Sequence, residues 1–457
     1  MDRALDMLRR RSIDGFEIYV DQTAHFNVES KDGRVDALEV AHSWGMALRI
    51  LNHQRTGFSY TTAHRFSPFL GDDFRGGLER MIEDAIASAE ATSSDPCYDF
   101  APVLKGSPAW LPIFDETLEK VSEEEKIRKA RSLEEAARSV DPDKIRKVRK
   151  ASYQDVLSQR TLINSEGFEF SYALTFASVS VTAVAEESGE SEVGWDFDAS
   201  HFHGNLDIQK VGREAGRKAL DRLGGRKIAT GVYPVVLRNN VASDFLSLLA
   251  HAFLAEQVQK GKSPLRGRKG ERFFSPFLSI MDDGLLPTGV AASPVDGEGM
   301  PSQKTSLVVK GEVSGFLYDR YWANRENASP SEGRVESTGN SRRPGIKSPP
   351  GLGISNLFIE PGTRSFSNLL GDLQRGVAVS QVMGLHTVDP ISGDFSLGCS
   401  GDWIEGGRRV YPVKSIALAG NIFELFRKVV EVGEDLRFFG KVGSPSLLIQ
   451  DLVFSGI

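Results

Sequence analysis

Cysteine is scarce in this sequence: Cys97 and Cys399 are its two thiols, they lie far apart, and they form no CxxC. That usage excludes a disulfide scaffold and a thiolate zinc cluster, and it fits a reducing compartment. Long apolar runs are missing as well, none approaching the ~20 residues that a bilayer-spanning helix needs. The basic start, MDRALDMLRRRS, lacks both the apolar segment and the small-residue cleavage site of a secretory signal. A cytoplasmic protein with no membrane partner is expected. Positive charge is in deficit, with 55 Lys and Arg against 62 Asp and Glu and a formal net charge of -7. Such a balance opposes attraction to phosphate backbones. Local basic runs at 144–150 (KIRKVRK) and 262–272 (KSPLRGRKGER) interleave no aromatics. They read as solvated faces or loops, and no nucleic-acid partner is expected.

What is present is the composition of a globular protein, 40% hydrophobic and 26% charged over 457 residues, too long for one ordinary core. The first half holds one pattern twice. Residues 16–62 run through a turn at Asp32-Gly33, strands VDALEV and WGMALRIL, a polar tip (NHQRTG) and GFSY; residues 146–197 run through a turn near Glu166-Gly167, strands FEFSYAL and ASVSVTAVA, a charged tip (EESGES) and GWDF. Each copy ends in an alanine-rich amphipathic helix, at roughly 78–91 and 208–223. The expectation is an α+β fold in two domains: residues 1–224, with an internal duplication over 16–91 and 146–223, and residues 225–457, a mixed, β-rich domain with few helices. Gly224-Gly225 closes the second helix and marks the boundary. Between the copies, 115–140 places acids three or four positions ahead of bases, the pattern of a solvent-exposed helix laced with ion pairs. In the second half, helices are expected at 243–260 and 421–431. The polar stretch 324–353 cannot form core, and reads as a disordered or substrate-handling loop.

The stretch SLLAHAFLAEQ (247–257) resembles an active-site helix, with Ser243 to cap its start and Lys260-Gly261 to end it. His251 and Glu256 stand five apart, roughly 140° around a regular helix. They diverge, no second His lies on the helix, and a groove-lining role is expected for them rather than metal binding. His201 and His203 would share one face of an extended piece, but no Cys close in sequence completes a site; an exposed loop is expected. His386 sits in a Gly-flanked turn upstream of Cys399, an arrangement that raises a thiol nucleophile. His251, Glu256, His386 and Cys399 are therefore the weak groove candidates. Gly351 and Gly353 begin a GxG without a third glycine or a strand-loop-helix context, and imply no nucleotide.

Several ordered motifs carry a resemblance: DDGLLPTGVAASPVDGEGMPSQKT (282–305), GFLYDRYWA (315–323), ESTGNSRRP (336–344), NLFIEPG (356–362) and SGDFSLGCSGDWIEGGRRVYPVKSIALAGN (392–421), with the N-terminal meander YVDQTAHFNVESKDGRVDALEVAHSWGMALRIL. Together they resemble the TldD/PmbA family, also labelled as modulators of DNA gyrase. The resemblance spans nearly the whole chain and implies a two-domain, cytoplasmic, dimeric protein associated with zinc-dependent proteolysis of flexible peptides and unfolded small proteins. Catalytic members carry His-Glu-x-x-x-His on the helix after the GVYPVVL-like strand, and a Cys near the C-terminus. On this sequence the motif falls on Ala250, His251 and Ala255, and 431–445 (EVGEDLRFFGKVGSP) holds no thiol. A methyl group has no lone pair for a metal. The resemblance is thus to the PmbA, or TldE, branch: a non-catalytic subunit with no catalytic or metal residue of its own, zinc residing in a TldD-like partner. Alternatives are a self-sufficient homodimeric peptidase with a site rebuilt from His251 with His386, or from His201 and His203, and a regulatory protein binding DNA gyrase. The expected ligand is an extended peptide, held by strand addition.

Overall fold

The computed structural model describes residues 2–63, 72–328 and 333–457. In the first half the elements are α1 (Asp2–Arg9), β1 (Gly15–Lys31), β2 (Arg34–Asn52), β3 (Arg55–Ala63), α2 (Asp72–Glu90), α3 (Glu123–Arg138), β4 (Lys147–Asn164), β5 (Glu169–Glu187), β6 (Glu190–Ser200) and α4 (Ile208–Leu220). The six strands form one antiparallel sheet in the order β3-β2-β1-β4-β5-β6. That order is palindromic about the β1–β4 pair, so the two copies of the sequence pattern lie side by side as mirror-ordered meanders. Three hairpins turn on two residues with positive φ: Asp32-Gly33, His53-Gln54 and Ser188-Gly189. Such turns match the twist of the strands they join.

Both copies also press a helix onto their last strand at a glycine. A Cβ on Gly57 would stand 1.9 Å from the Ala85 carbonyl oxygen of α2, and one on Gly194 would stand 2.1 Å from that of Ala215 in α4. These are the glycines of GFSY and GWDF, and the small residues beneath them are the alanines of the two amphipathic helices.

Two expectations for this half are corrected. VDALEV and WGMALRIL are one strand, as are FEFSYAL and ASVSVTAVA, because no turn residue interrupts the alternation and the β1–β2 register runs unbroken from Gly15↔Leu51 to Glu29↔Ala37. The helix at 115–140 is shorter, starting after the Ser122 cap, and it is not a solvated connector. Ala130, Leu133, Ala136 and Ala137 bury one face against β4 and α4, where Gly212 and Gly216 let the helices close. Even its charges turn inward: Lys126 pairs with Asp155 at 2.6 Å, and Glu134 accepts the N–H of Gly33 at 2.7 Å.

The second half follows as β7 (Gly231–Leu237), α5 (Asn239–Leu249), α6 (Ala255–Gln259), β8 (Ile280–Asp283), β9 (Lys304–Val309), β10 (Glu312–Val313), α7 (Arg320–Asn327), β11 (Ser341–Arg342), β12 (Gly351–Leu352), β13 (Leu357–Ile359), α8 (Phe366–Gly371), β14 (Arg375–Met383), β15 (Asp394–Glu405), β16 (Arg408–Asn421), α9 (Ile422–Arg427), β17 (Val429–Val432), β18 (Arg437–Phe439), β19 (Val442–Ser444) and β20 (Leu447–Ser455). One sheet runs β16-β15-β14-β7-β20 and closes on itself through β16–β20 pairing, with β17 added to β20. A second runs β10-β9-β8-β13-β19-β18. Helix α5 touches both, and Val241, Phe245, Leu246 and Leu249 are buried with Val235, Phe395 and Phe426 in one large core. Each such side chain contributes on the order of 1.5–3 kcal/mol by leaving water.

The polar stretch 324–353 departs from its expectation. Residues 324–327 complete α7, which starts where the Asp319 carboxylate accepts the Trp322 N–H at 2.9 Å; 329–332 lie outside the described residues. Asn340 and Ser341 are fully buried although neither is apolar. Asn340 donates to Asp282 at 2.7 Å, and Ser341 N–H donates to Asp296 at 3.0 Å, so hydrogen bonds rather than hydrophobic burial order this segment. The helix at 421–431 likewise shortens to α9 and is followed by β17.

Candidate functional site

The expected helix 243–260 is two helices with a break. It begins at Asn239, so Ser243 is not its cap; the Ser243 hydroxyl donates to the Val442 carbonyl from inside the helix. After Leu249 the chain tightens into a 3-10 turn, Ala250–Phe253, and Leu254 is extended at φ -75°, ψ 125°. Ala255 N–H donates to the Leu317 carbonyl at 3.0 Å before α6 resumes. Positions five apart on a regular helix point roughly 140° away from each other. A motif with ligands at that spacing needs an interruption between them, and Leu254 supplies it between Ala250 and Ala255. Ala255 is 0% exposed, its methyl group packed in the core. The donor set does not fit zinc: Ala250 and Ala255 offer no lone pair, and among the described residues no group of three His, Cys, Asp or Glu stands together to hold a metal ion.

One face of α5 stays open. Asn240, Asp244, Ser247 and Leu248 fall within about 100° of each other around the axis, and none of them is buried. The N-terminal end of that face lines a groove of 680 Å³ between the two halves. Trp195 and Phe197 of β6, stacked at 5.0 Å, and Phe439 form its apolar wall. Arg238 and Asp402 form a charged wall, the two 3.4 Å apart, with Arg409 holding Asp402 at 2.6 Å. Asp244 makes no ion pair among the described residues, and burial pushes its carboxyl up to about 6. The groove can therefore take apolar side chains on one wall and polar main chain on the other, with one carboxyl that burial holds above the usual carboxylate range.

The other candidate residues do not assemble into a site. His251 is exposed, and Glu256 is half-buried and paired with Lys260 at 2.6 Å. His201, expected in an exposed loop, is 2% exposed, because the strand ends at Ser200 and the chain folds inward. Its Nδ1 faces the Thr175 carbonyl at 2.7 Å and its Nε2 the Gly289 carbonyl at 3.1 Å, so neither nitrogen turns a lone pair to a metal. His203 lies in a 3-10 turn, not an extended piece, with Lys129 and Thr117 on its two nitrogens. Cys399 is fully buried inside β15, and burial pushes its thiol up to about 12, whereas His386 is exposed in a separate turn. A thiol so raised carries almost no thiolate at neutral pH. Asp244 and the aromatic wall were missed in the sequence. The spacing of Asn240, Asp244 and Leu248 along one helical face could have singled out Asp244; Trp195 and Phe197 share β6, but no local pattern joins them to Phe439 or to α5.

Comparison with known proteins agrees in extent and order. Residues 16–89, 116–223 and 230–456 match, in turn, domain 1, the central domain and the C-terminal domain of the PmbA/TldA metallopeptidases. The chain is 27% identical to Metalloprotease PmbA of Escherichia coli O157:H7, over 99% of this chain and 94% of that one. It is 24% identical to a TldD homologue of Haemophilus influenzae, over 99% and 95%. Among solved structures, a Thermotoga maritima protein named as a modulator of a DNA gyrase superposes with a TM-score of 0.86 at 26% identity, covering 99% of each chain. TldE from Thermococcus kodakarensis, at 23% identity, shares the fold with a TM-score of 0.87 over 99% and 100%. No helix among the described residues is long and apolar enough to cross a membrane.

Proposed function

Because this chain belongs to the PmbA/TldD metallopeptidase family, we propose that it is the non-catalytic, PmbA/TldE-like subunit of a TldD-type zinc peptidase, a cytoplasmic complex that cleaves flexible peptides or small unfolded proteins. The observation that carries this reading is the pair of methyl groups at Ala250 and Ala255, on a segment broken at Leu254. Neither side chain has a donor atom for a metal. Zinc, held by the partner subunit, would supply the Lewis acid and the activated water. This chain's residues bind and orient the substrate. The aromatic and charged walls of the α5 groove support that role, and so does β2, whose residues 34–43 pair, among the described residues, with β1 alone and expose Val35, Leu38 and Val40. An extended peptide can join such an edge through main-chain hydrogen bonds, with little sequence preference.

Co-expression with the TldD-like protein of the same organism, followed by size-exclusion chromatography, metal analysis and a casein-cleavage assay, tests the reading. The expected result is a heteromeric complex that holds zinc and cleaves casein, while this chain alone does neither. Stoichiometric zinc and peptidase activity in this chain alone would overturn it. The gyrase role in the Thermotoga protein's name gains no support from charge, since a net charge of -7 disfavours direct contact with DNA.

A further inference from the structure

A second cavity, of 180 Å³, lies where β1, β4 and β5 meet the loop 290–297, β11 and Arg343. Its walls combine Leu162, Phe170 and Val295 with three arginines, Arg160, Arg342 and Arg343. The arginines differ in how far they are committed. Arg343 lies over the Tyr19 ring, pairs with Glu17 and donates to the Gly297 carbonyl. Arg342 spends one amino group on Gly339 and Ser355, and its Nε makes no hydrogen bond. The Arg160 guanidinium donates to the Tyr172 hydroxyl and stands 3.8 Å from the Asp21 carboxylate. Ser341, fully buried beside them, has an unpartnered hydroxyl.

The one acid in the lining does not balance these donors. Asp296 already accepts the N–H groups of Glu298, Met300 and Ser341 on its two oxygens. Burial and the neighbouring Glu298 carboxylate also hold its carboxyl well above the usual range. Donors and positive charge thus exceed acceptors inside a partly apolar cavity, the complement of an anion carried on an apolar group. Pockets for whole small ligands run to roughly 300–1,000 Å³. At 180 Å³ this one suits a single terminal residue rather than a length of peptide.

We propose that this cavity binds the C-terminal carboxylate of a peptide that ends in a small apolar residue, with Arg160 and Arg342 as its ligands and Leu162, Phe170 and Val295 around the side chain. The inference rests on the peptide-handling role proposed above and gives that role a polarity: the subunit reads chain ends.

Calorimetric titration of the full-length chain with acetyl-Gly-Ser-Ala-Val as the free acid and as the C-terminal amide tests it. The free acid is expected to bind roughly tenfold or more tightly than the amide, the worth of one charge-assisted contact. Arg160→Gln should erase that preference, and Arg160→Lys should restore part of it, with thermal midpoints unchanged. Equal binding of acid and amide, no binding of either at about 5 mM, a preference that survives Arg160→Gln, or inorganic phosphate that binds without being displaced by the peptide acid would each overturn the proposal. Complex formation with the zinc subunit is measured separately: its failure with the acid preference intact defeats the subunit role alone.

Discussion

Asp244 shows how one side chain acquires properties from its surroundings. In SDFLS it is one more polar residue on an apolar helix; in the fold it lines a groove, and burial raises its carboxyl from 3.8 to about 6. The folded chain therefore binds this proton more tightly than the unfolded chain does. Between about pH 4 and pH 6 stability falls as pH rises through this group, and above pH 6 the full penalty is in place. Asp244→Asn should stabilise the protein at pH 8 by on the order of 1–3 kcal/mol and have little effect near pH 3.5. Urea unfolding at the two pH values measures this, and an effect independent of pH would contradict it. The residue scale was readable where it depended on chemistry alone, as at Ala250, His251 and Ala255. It was unreadable where it depended on neighbours, as at His201, whose burial follows from a bend after Ser200.

At the scale of elements, the duplicated meander was legible because periodicity and turn residues are local. Asp32-Gly33 and Ser188-Gly189 announce their hairpins, and strand alternation continues until such a turn stops it. The burial of α3 was not legible, since its charge spacing is also that of a solvated helix; Gly212 and Gly216 on α4 bring it under cover. The two strand–helix contacts at Gly57 and Gly194 make the duplication testable. Gly57→Ala and Gly194→Ala each drive a methyl group into a helix backbone. Each should cost about 1–3 kcal/mol, the usual penalty of overpacking. Lower melting temperatures for both variants are the expected outcome, and an unchanged value for either would show that its helix is not held at that distance.

For the whole molecule, the two halves meet through buried charge. Arg49 of β2 donates to Glu17 at 3.0 Å and to Glu298 at 3.1 Å, and Arg343 also pairs with Glu17. All four side chains are less than a tenth exposed. Arg49→Met leaves Glu298 without its cation, and removing one partner of a buried pair costs roughly 3–5 kcal/mol. The thermal midpoint of Arg49→Met should drop sharply, and adding Glu298→Gln should recover part of the loss; a neutral single variant would mean the network is solvated. By itself the sequence determined the strands and their turns, the repeated unit, and the absence of donor atoms at Ala250 and Ala255, because each follows from local spacing or from the chemistry of one side chain. Only the tertiary structure decided that the helix at 250–255 is broken, that Asn340 and Ser341 are core, and that Arg160, Arg342 and Arg343 face one cavity, because burial and charge compensation depend on residues far apart in the chain.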